Sequence, residues 1–463
     1  MNKSKRVIIL LVLLVVAAIL MPASNLVIKP RNAGMITGPM PIDVEWSNIA
    51  GILEDKCVVC HVPGADLPFY ASFPIAKGMM QADIEEGLDF FDMADAIRHS
   101  GEEPISEVAL AKMEFVVDQA NMPPARYLVM HWDGKLTESE QADLKAWIRK
   151  YRIQLYQTEG VAEEFAAEVV QPLPKALELD EAMVALGNKL FHDPRLSGDD
   201  TISCASCHDL AKGGTDQARF STGIDGQMGD INAPTVFNAG YAFSQFWDGR
   251  AADLKEQADG PVNNPIEMGT TWDEVMPKLE ADAELVETFK ALFPEDGLTS
   301  DNVMEAIAVF ESSLITPNSR FDRYLYGEKD AITAEELAGY ERFKEIGCAG
   351  CHCGIILGGA SYEQIGRKRD YFVDRGDDFA TPDQGRFNFS KDERDMSKFK
   401  VPTLRNLVVT HPYLHDGTTS DLREAVRIMA HYQFTTPYTD ADLDQIVAFL
   451  KTLTGEYNGQ LLQ

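Results

Sequence analysis

Basic residues are scarce in this chain of 463 residues, which has 42 Lys and Arg against 73 Asp and Glu. The formal net charge of −31 argues against nucleic acid and anionic lipid headgroups as surface partners, because like charges repel. The charge permits steering toward a basic partner protein, although any acidic exported protein would show the same balance. Strand-like alternation of apolar and polar residues is also scarce, so the sequence predicts a mainly helical protein.

Long apolar runs are absent except near the amino terminus. Three basic residues precede residues 7–21, which carry no charge, and residues 26–28 extend this apolar segment. Basic residues ahead of such a run indicate export across the cytoplasmic membrane. Counted to Met21 the segment has the length of a cleaved signal peptide, and counted to Ile28 it is long enough to span a bilayer. Because no small-x-small cleavage site ends it, we expect residues 1–30 to be a retained membrane anchor.

Cysteine is nearly absent outside three short motifs, which use six of the seven cysteines. Each motif has the form Cys-x-x-Cys-His, at residues 57–61, 204–208 and 348–352. Two thiols at this spacing form thioethers with the vinyl groups of a porphyrin, and the adjacent histidine ligates the iron. A single motif could equally be a zinc half-site or a redox dithiol. Three motifs, each with its histidine, predict three covalently bound c-type haems.

The motifs supply both the attachment thiols and the proximal iron ligands. The thiols are Cys57, Cys60, Cys204, Cys207, Cys348 and Cys351, and the ligands are His61, His208 and His352. The seventh thiol, Cys353, is interpreted as a buried small residue rather than a second iron ligand, because it directly follows the proximal histidine. Since c-type haem is attached outside the cytoplasmic membrane of bacteria, we expect a periplasmic protein anchored to that membrane, with a cleaved soluble form as the alternative.

Helical periodicity precedes and follows the motifs. Asp43 is expected to cap a helix that leads to the first motif. Capping boxes predict three further helices, which open at Thr137, Thr333 and Thr439. The last of these is expected to end at Gly455. Helix, haem motif, loop and closing helix form the cytochrome c unit, which is repeated here.

The repeated unit predicts an all-α protein with three cytochrome c-like haem domains in tandem after the amino-terminal membrane anchor. Residues 158–180 are acidic and contain two prolines, so we expect a linker there. Residues 354–400 lack periodicity and are expected to form a long loop over the third haem. The expected haem domains are residues 40–157, 181–327 and 328–463.

Four strings after residue 186 are specific enough to indicate a family. They are Leu-Phe-His-Asp-Pro-Arg-Leu-Ser at 190–197, Asn-Ala-Pro-Thr-Val-Phe-Asn at 232–238, Gln-Phe-Trp-Asp-Gly-Arg at 245–250 and Val-Pro-Thr-Leu-Arg-Asn at 401–406. The chain resembles the bacterial dihaem cytochrome c peroxidases, and its three motifs resemble their membrane-anchored trihaem branch. The resemblance implies an enzyme that reduces hydrogen peroxide to water with electrons from quinol or a small cytochrome c.

In that family the middle haem, here on His208, is where peroxide reacts. The resemblance makes Glu267 the group that takes a proton from hydrogen peroxide and returns it to the leaving oxygen, with Gln257 assisting by hydrogen bonding. Most dihaem members close the sixth position of this iron with a histidine, which corresponds to Ile224 here and cannot ligate iron. We therefore expect a haem that accepts peroxide in the oxidised protein, with Met228 in the same loop as the competing ligand.

The third haem, on His352, is expected to pass electrons to the second. The resemblance implies Met429 as its axial ligand, and a thioether ligand raises the reduction potential. His431 is the alternative ligand. His415 matches a family residue near the haem edge, and a structural histidine hydrogen-bonded within its loop is the alternative.

Two predictions concern the interface between the second and third haem domains. Trp247 falls where the family has an aromatic residue between the haems, and it either supports electron transfer or fills the interface. Asn232 and the backbone carbonyls of Thr410 and Pro412 match the family's calcium site. Oxygen ligands of this kind suit Ca²⁺, which would hold the two domains in a fixed relation. A hydrogen-bond network without calcium is the alternative.

The first haem needs a sixth ligand on the side opposite His61. Met122 lies in a Met-Pro-Pro element that resembles the one presenting methionine in many cytochromes c, and His99, Met79 and Met80 are the alternatives. Because this haem is nearest the membrane anchor in the chain, we expect it to receive electrons from quinol or from a quinol-oxidising complex.

Two other functions compete with the peroxidase. A pure electron-transfer multihaem cytochrome would need all three irons six-coordinate and would make Glu267 dispensable. A protein-modifying dihaem oxidase would have a tyrosine in place of the axial methionine, so Met429 argues against it. The sequence leaves the choice between monomer and homodimer open.

Overall fold

The computed structural model describes residues 3–36, 46–98 and 104–463. The chain divides into two compact units, Met1–Tyr156 and Gln157–Gln463. The first unit contains the first Cys-x-x-Cys-His motif, and the second unit contains the other two. The expected second and third haem domains therefore fold together within one compact unit.

The first unit is helical. Its described helices are α1 (Lys3–Asn25), α2 (Trp46–Lys56), α3 (Val58–His61), α4 (Pro74–Phe90), α5 (Met93–Arg98), α6 (Glu107–Gln119), α7 (Ala125–Leu128) and α8 (Glu138–Leu155), with a 3₁₀ turn at Phe69–Ser72. Its core joins α2, α6 and α8 through buried side chains such as Leu53, Leu110 and Ile148. The thiol motif lies against this core, because Val58 on α3 is a fully buried member of it.

The apolar amino-terminal segment lies within α1. No helix in the described part of the chain is long and apolar enough to cross a membrane. Asp43, the expected cap of α2, lies outside the described residues.

The second unit is also mainly helical. Its α-helices are α9 (Glu181–Phe191), α10 (Cys204–Cys207), α11 (Leu254–Asn263), α12 (Trp272–Glu280), α13 (Ala283–Leu292), α14 (Ser300–Ser313), α15 (Arg320–Leu325), α16 (Ala334–Ile346), α17 (Tyr371–Arg375), α18 (Phe387–Ser390), α19 (Leu422–Gln433) and α20 (Asp440–Lys451). Its strands are β1 (Tyr362–Gln364), β2 (Lys398–Lys400), β3 (Glu456–Tyr457) and β4 (Gln460–Leu461), paired antiparallel as β1 with β2 and β3 with β4. The strands are short, so the fold is mainly helical rather than all-α.

Two helix pairs form the framework of the second unit. Helix α9 packs on α14 ahead of the second motif, and α16 packs on α20 ahead of the third. Both pairs cross at a glycine: a β-carbon on Gly187 would collide with the carbonyl oxygen of Ala306, and one on Gly339 would collide with that of Gln445. Each crossing thus needs a residue without a side chain. A close helix crossing at a glycine therefore supports both of these haem motifs.

The predicted capping boxes are confirmed. Thr137, Thr333 and Thr439 each accept a hydrogen bond from the backbone three residues on, and the acidic residue at that position bonds back. One boundary is wrong: α20 ends at Lys451, and Gly455 instead precedes the β3–β4 hairpin.

The stretch expected to be a linker is packed over most of its length. Val170 and Leu173 are fully buried, and Val170 forms a β-bridge with Gly354. Arg405 donates a hydrogen bond of 3.1 Å to the carbonyl oxygen of Gln171. Residues 158–173 are therefore part of the second unit, and only residues 175–180 are largely exposed.

The region expected to be a long loop contains regular structure. Strands β1 and β2 frame it, with Tyr362 opposite Lys400 in the ladder, and α17 and α18 lie between them. This ladder fixes the position of β2 beside the third motif.

Candidate haem sites and active site

The three motif histidines share one hydrogen-bonding pattern. In each, Nδ1 is bonded to a backbone carbonyl oxygen: His61 to Phe91 at 2.9 Å, His208 to Gly214 at 3.3 Å and His352 to Leu357 at 3.0 Å. A carbonyl only accepts, so Nδ1 carries the proton and Nε2 keeps the lone pair that ligates a metal. Burial lowers the pKa of all three imidazoles, which keeps them neutral. The histidines therefore fit the proximal position of a c-type haem.

The cysteines fit the same cofactor. None of the seven cysteines forms a disulfide, so each motif presents two sulfurs three residues apart. Burial raises the pKa of Cys57 and Cys348 to about 12 and that of Cys60 to about 11. Cys353 is 1% exposed, in agreement with its interpretation as a buried small residue.

A cavity of about 270 Å³ lies beside the third motif, and we refer to it as the third-haem cavity. Cys348, Cys351 and His352 line it, and so does Met429 of α19. In the described chain His431 is not part of its lining; it is two residues from Met429, so the two side chains leave α19 on different faces. The structure thus brings the third motif together with its predicted axial ligand.

The predicted interface residues line the same cavity. Trp247 and Asn232 are joined, because the Trp247 indole donates a 2.8 Å hydrogen bond to the Asn232 carbonyl oxygen. The Asn232 amide donates to two backbone carbonyls, and Thr410 and Pro412 lie in the same wall. No group of three or more His, Cys, Asp and Glu side chains is arranged to hold a metal ion within the described ranges. Calcium stays a prediction.

His415 is held in a buried ionic network. Its Nε2 lies 2.8 Å from Asp383, which also pairs with Arg375 at 2.8 Å, and Arg375 pairs with Asp416 at 2.9 Å. Burial opposes ionisation of Asp383, but hydrogen bonds from Arg375 and His415 outweigh it and bring the pKa to about 2. The ring of His415 stacks on Phe399, with centroids 4.3 Å apart. These contacts fit the structural alternative for His415.

Glu267 lies beside the second motif. Its backbone carbonyl accepts a 2.8 Å hydrogen bond from Ile224, and its carboxylate accepts one of 2.6 Å from the Asn264 amide. Burial raises its pKa, although the Asn264 hydrogen bond opposes the shift. Burial also raises the pKa of Cys207, and the negative charge of Glu267 adds to that effect. A carboxyl with a raised pKa next to the haem thiol can take up and return a proton.

The loop around Ile224 packs tightly against Glu267. A β-carbon on Gly223 would collide with the Ile266 carbonyl oxygen, so the loop approaches closely because it has a glycine there. Ile224 is 8% exposed, whereas Met228 is 64% exposed. Met228, which was named as the competing ligand, therefore lies on the surface of this loop.

Gln257 lies on α11, the helix that precedes Glu267, and is half-buried. The helix is positioned by Phe246, whose ring would contact any side chain at Gly260. The guanidinium of Arg250 stacks over Phe246 at 3.5 Å, and its positive charge acts to lower the pKa of Glu267.

Two charged residues near the motifs, the buried Glu311 and the half-buried Lys400, were missed by sequence reasoning. Glu311 on α14 is 5% exposed, and burial raises its pKa to about 8; its charge in turn raises the pKa of Cys204. Lys400 at the end of β2 lines the third-haem cavity, and burial lowers its pKa to about 8. The available signal for Glu311 was an acidic residue on the apolar face of a helix, four residues after Ile307.

The first motif has its own surroundings. The Tyr127 ring stacks on His131 with centroids 3.9 Å apart, and Tyr70 hydrogen-bonds to His131. Both tyrosines lie near Cys60, whose charge adds to the burial that raises their pKa values. Sequence reasoning missed this group because no motif marks it.

The predicted sixth ligands of the first haem differ in exposure. Met122 is 40% exposed in the turn after α6, Met79 is exposed and Met80 is buried. His99 lies outside the described residues. The role of Met122 stays a prediction.

Comparison with known proteins agrees with this site chemistry. The family model for di-haem cytochrome c peroxidase matches residues 181–330, and one for a haem-binding domain matches residues 31–150. Cytochrome c peroxidase Ccp of Escherichia coli (strain K12) is 46% identical over 417 residues, which are 89% of each chain. The cytochrome c551 peroxidase of Nitrosomonas europaea is 44% identical over 63% of this chain and 85% of its own.

A solved structure supports the same relationship. A MauG-like protein associated with microbial copper homeostasis superimposes with a TM-score of 0.55 and 28% identity, over 62% of this chain and 94% of its own. The paired motif cysteines, the neutral histidines that present Nε2 and the half-buried carboxyl of Glu267 are what a peroxidase with c-type haem requires. The chain belongs to the di-haem cytochrome c peroxidase family and is a haem peroxidase.

Proposed function

We propose that this peroxidase binds three c-type haems and reduces hydrogen peroxide at the His208 haem. The overall reaction consumes two electrons and two protons for each hydrogen peroxide and yields two water molecules. The bound haems supply the iron that exchanges electrons with peroxide and with the donor. The proposal rests on the half-buried carboxyl of Glu267 beside Cys207, where removal from water raises its pKa.

Glu267 is the proton-transfer group in this mechanism. Its carboxylate accepts a proton from one oxygen of hydrogen peroxide. It then returns this proton to the other oxygen, which leaves as water. The hydrogen bond from Asn264 holds the carboxylate in place. Gln257, from the preceding helix, hydrogen-bonds to peroxide and orients it. A partly desolvated carboxyl suits both halves of the transfer, since its pKa lies closer to neutral pH.

A haem held by His208 would be open to peroxide in the oxidised protein. Ile224 lies beside Glu267 and has no atom that ligates iron, and Met228 is directed to the surface of the loop. The protein therefore needs no prior reduction to release a sixth ligand.

With haems bound at the three motifs, His61 would hold the haem at which electrons enter, His352 the haem that relays them and His208 the haem that passes them to peroxide. Met429 would be the residue that holds the iron of the His352 haem from α19, and its thioether would raise the potential of that haem. Trp247 would fill the wall between the two haems, and Asn232, Thr410 and Pro412 would hold a Ca²⁺ ion that fixes that wall. The donor is quinol or a small cytochrome c, and the protein acts in the periplasm at the cytoplasmic membrane, held by its amino-terminal segment.

Matched variants of the three motifs test this route. Both cysteines of one motif are replaced by alanine, and haem content, peroxide consumption and donor oxidation are measured. Loss of the second motif should abolish turnover with every donor. Loss of the first should abolish quinol oxidation while turnover with an artificial donor persists. Full turnover without the second motif would contradict the assignment of the peroxide site.

Electron paramagnetic resonance of the oxidised protein tests the open site separately. A high-spin ferric signal from one haem, altered by fluoride or cyanide, is expected. Three low-spin signals would contradict the open site and would leave either a peroxidase that must first be activated or an electron-transfer cytochrome.

A further inference from the structure

Lys400 occupies the wall of the third-haem cavity. It ends β2, lies opposite Tyr362 of β1, and its backbone N–H donates a 2.7 Å hydrogen bond to the carbonyl oxygen of Trp247. Trp247 and His352 line the same cavity. The ladder and this hydrogen bond thus hold Lys400 at the wall that Trp247 shares with Asn232.

In the part of the chain that the structure describes, the ammonium group of Lys400 has no counter-ion. No salt bridge or hydrogen bond to its Nζ occurs among the described residues, although the chain carries a formal charge of −31. Burial alone lowers its pKa to about 8, and no nearby carboxylate raises it again. Lys400 is half-buried and lines the cavity. A charge that is largely removed from water without a partner is costly, so such a side chain is retained where an anion accompanies it.

The other charged groups of the cavity do not fill this role. Glu363 lines the cavity, but its charge raises the pKa of His352 and does not contribute to that of Lys400. Arg367 adds a second positive charge. The anion must therefore come from what the cavity binds. A haem brings two propionate carboxylates with it, and these are anionic at neutral pH.

We infer that the ammonium of Lys400 is the counter-ion of a propionate of the His352 haem, and that it holds the reduction potential of this haem high. The inference rests on the proposed third haem. A positive charge beside the haem offsets the negative propionate, and this favours the ferrous iron over the ferric iron, which carries one more positive charge. Lys400 thus acts through the propionate and sets the reduction potential of the His352 haem.

The test compares Lys400→Met with Lys400→Arg in the full-length haem protein. Lys398→Met is the matched control, because it removes the same charge two residues earlier on β2 from a side chain that does not line the cavity. The measurement is a spectroelectrochemical titration of all haems. Lys400→Met should lower the midpoint potential of one haem by about 59 mV. For one electron, this shift corresponds to a tenfold change in the equilibrium constant for reduction. Lys400→Arg and Lys398→Met should leave the midpoints of the wild type.

Several results would overturn the inference. One is an unchanged midpoint in Lys400→Met, and another is an equal shift in Lys400→Arg, since the shape of the side chain would then matter rather than its charge. If Lys400→Met loses the haem, restoration of haem content by Lys400→Arg supports the ion pair, and loss in both variants opposes it. A wild-type protein without haem on Cys348 and Cys351 would instead refute the third haem itself, and the haem content shows this before any titration.

Discussion

The second and third haem motifs lie on closely similar supports, yet the charges buried beside them are of opposite kind. Both motifs follow a helix that crosses its partner at a glycine, Gly187 on α9 and Gly339 on α16. Both proximal histidines donate Nδ1–H to a carbonyl. Similar backbones therefore present the same cofactor ligands in the two regions.

The difference lies in the buried charged side chains. Near the second motif, Glu267 and Glu311 are carboxyls whose pKa burial raises, to about 8 for Glu311. Near the third motif, Lys400 is a half-buried cation in the wall of the cavity, and the buried carboxyl of Asp383 is paired with Arg375. Carboxyls that hold protons suit proton-coupled chemistry on peroxide, whereas a cation suits a site that accepts and stores an electron. The two haem regions therefore differ in the charged side chains beside the motifs rather than in the backbone that supports them.

The largest expected effect comes from removing Glu267, the proposed proton-transfer group of the second region. Glu267→Gln keeps the hydrogen-bonding shape but cannot accept the proton, so kcat with hydrogen peroxide should fall by about 10²- to 10⁴-fold. Steady-state peroxide reduction with haem content measured in parallel checks this. Glu284→Gln, at an exposed position of α13, is the matched control and should keep full activity. Full turnover in Glu267→Gln would refute the mechanism and leave the two regions chemically alike.

The next effect is expected in the third region, where the buried carboxyl is paired. Asp383→Asn removes the charge that Arg375 and His415 contact, and breaking a buried pair in this way costs roughly 3–5 kcal/mol. The midpoint of chemical denaturation at pH 7 should fall accordingly. The folded pKa of Asp383 lies below its unfolded value, so the stabilisation is present above about pH 4 and is lost as pH falls toward about 2. An unchanged midpoint would show that the pairing contributes nothing.

Glu311 should behave in the opposite way. Its folded pKa of about 8 is above the unfolded value of 4.5, so its favourable contribution is complete below about pH 4.5 and is lost as pH rises through about 8. Glu311→Gln removes this dependence and should stabilise the protein at pH 8.5 by a few kcal/mol, at about 1.4 kcal/mol per pKa unit. Thermal unfolding of both proteins at pH 5 and pH 8.5 measures the difference.

Glu305→Gln, on a more exposed part of the same helix, should leave the pH dependence of the melting temperature unchanged. If Glu311→Gln melts like the wild type at both pH values, Glu311 is ionised and paired in the haem-bound protein, and the contrast with Asp383 disappears.

The features that follow from local sequence were predictable. The haem motifs and the capping boxes at Thr137, Thr333 and Thr439 each depend on residues within five positions of one another. The burial of Lys400 and Glu311 was not predictable, because it depends on which distant elements cover them.

The error about residues 158–180 has the same origin. Their acidic and proline-containing composition is typical of a linker, but Val170 and Leu173 are buried by residues far along the chain. Arg405 holds this segment in place, and it also makes a fully buried ion pair with Asp322 at 2.9 Å. The composition of a segment does not show whether residues far along the chain will pack against it.

The smallest of the expected effects tests what keeps the second region open. Ile224→His places an imidazole on the loop beside Glu267, where it can close the sixth position of the iron. If the closed form then accounts for 90–99% of the oxidised protein, the apparent affinity for peroxide falls 10- to 100-fold, because only the open fraction binds. Ile224→Leu is the control that keeps the apolar side chain.

The measurement is peroxide binding to the oxidised protein by stopped-flow absorbance, repeated after the third haem has been reduced. Closure by histidine predicts a high-spin to low-spin change in Ile224→His alone, with slower binding before reduction. Equal binding in Ile224→His and Ile224→Leu would show that the loop does not reach the iron. The open state would then depend on something other than residue 224, and the buried carboxyls would be the remaining difference between the two haem regions.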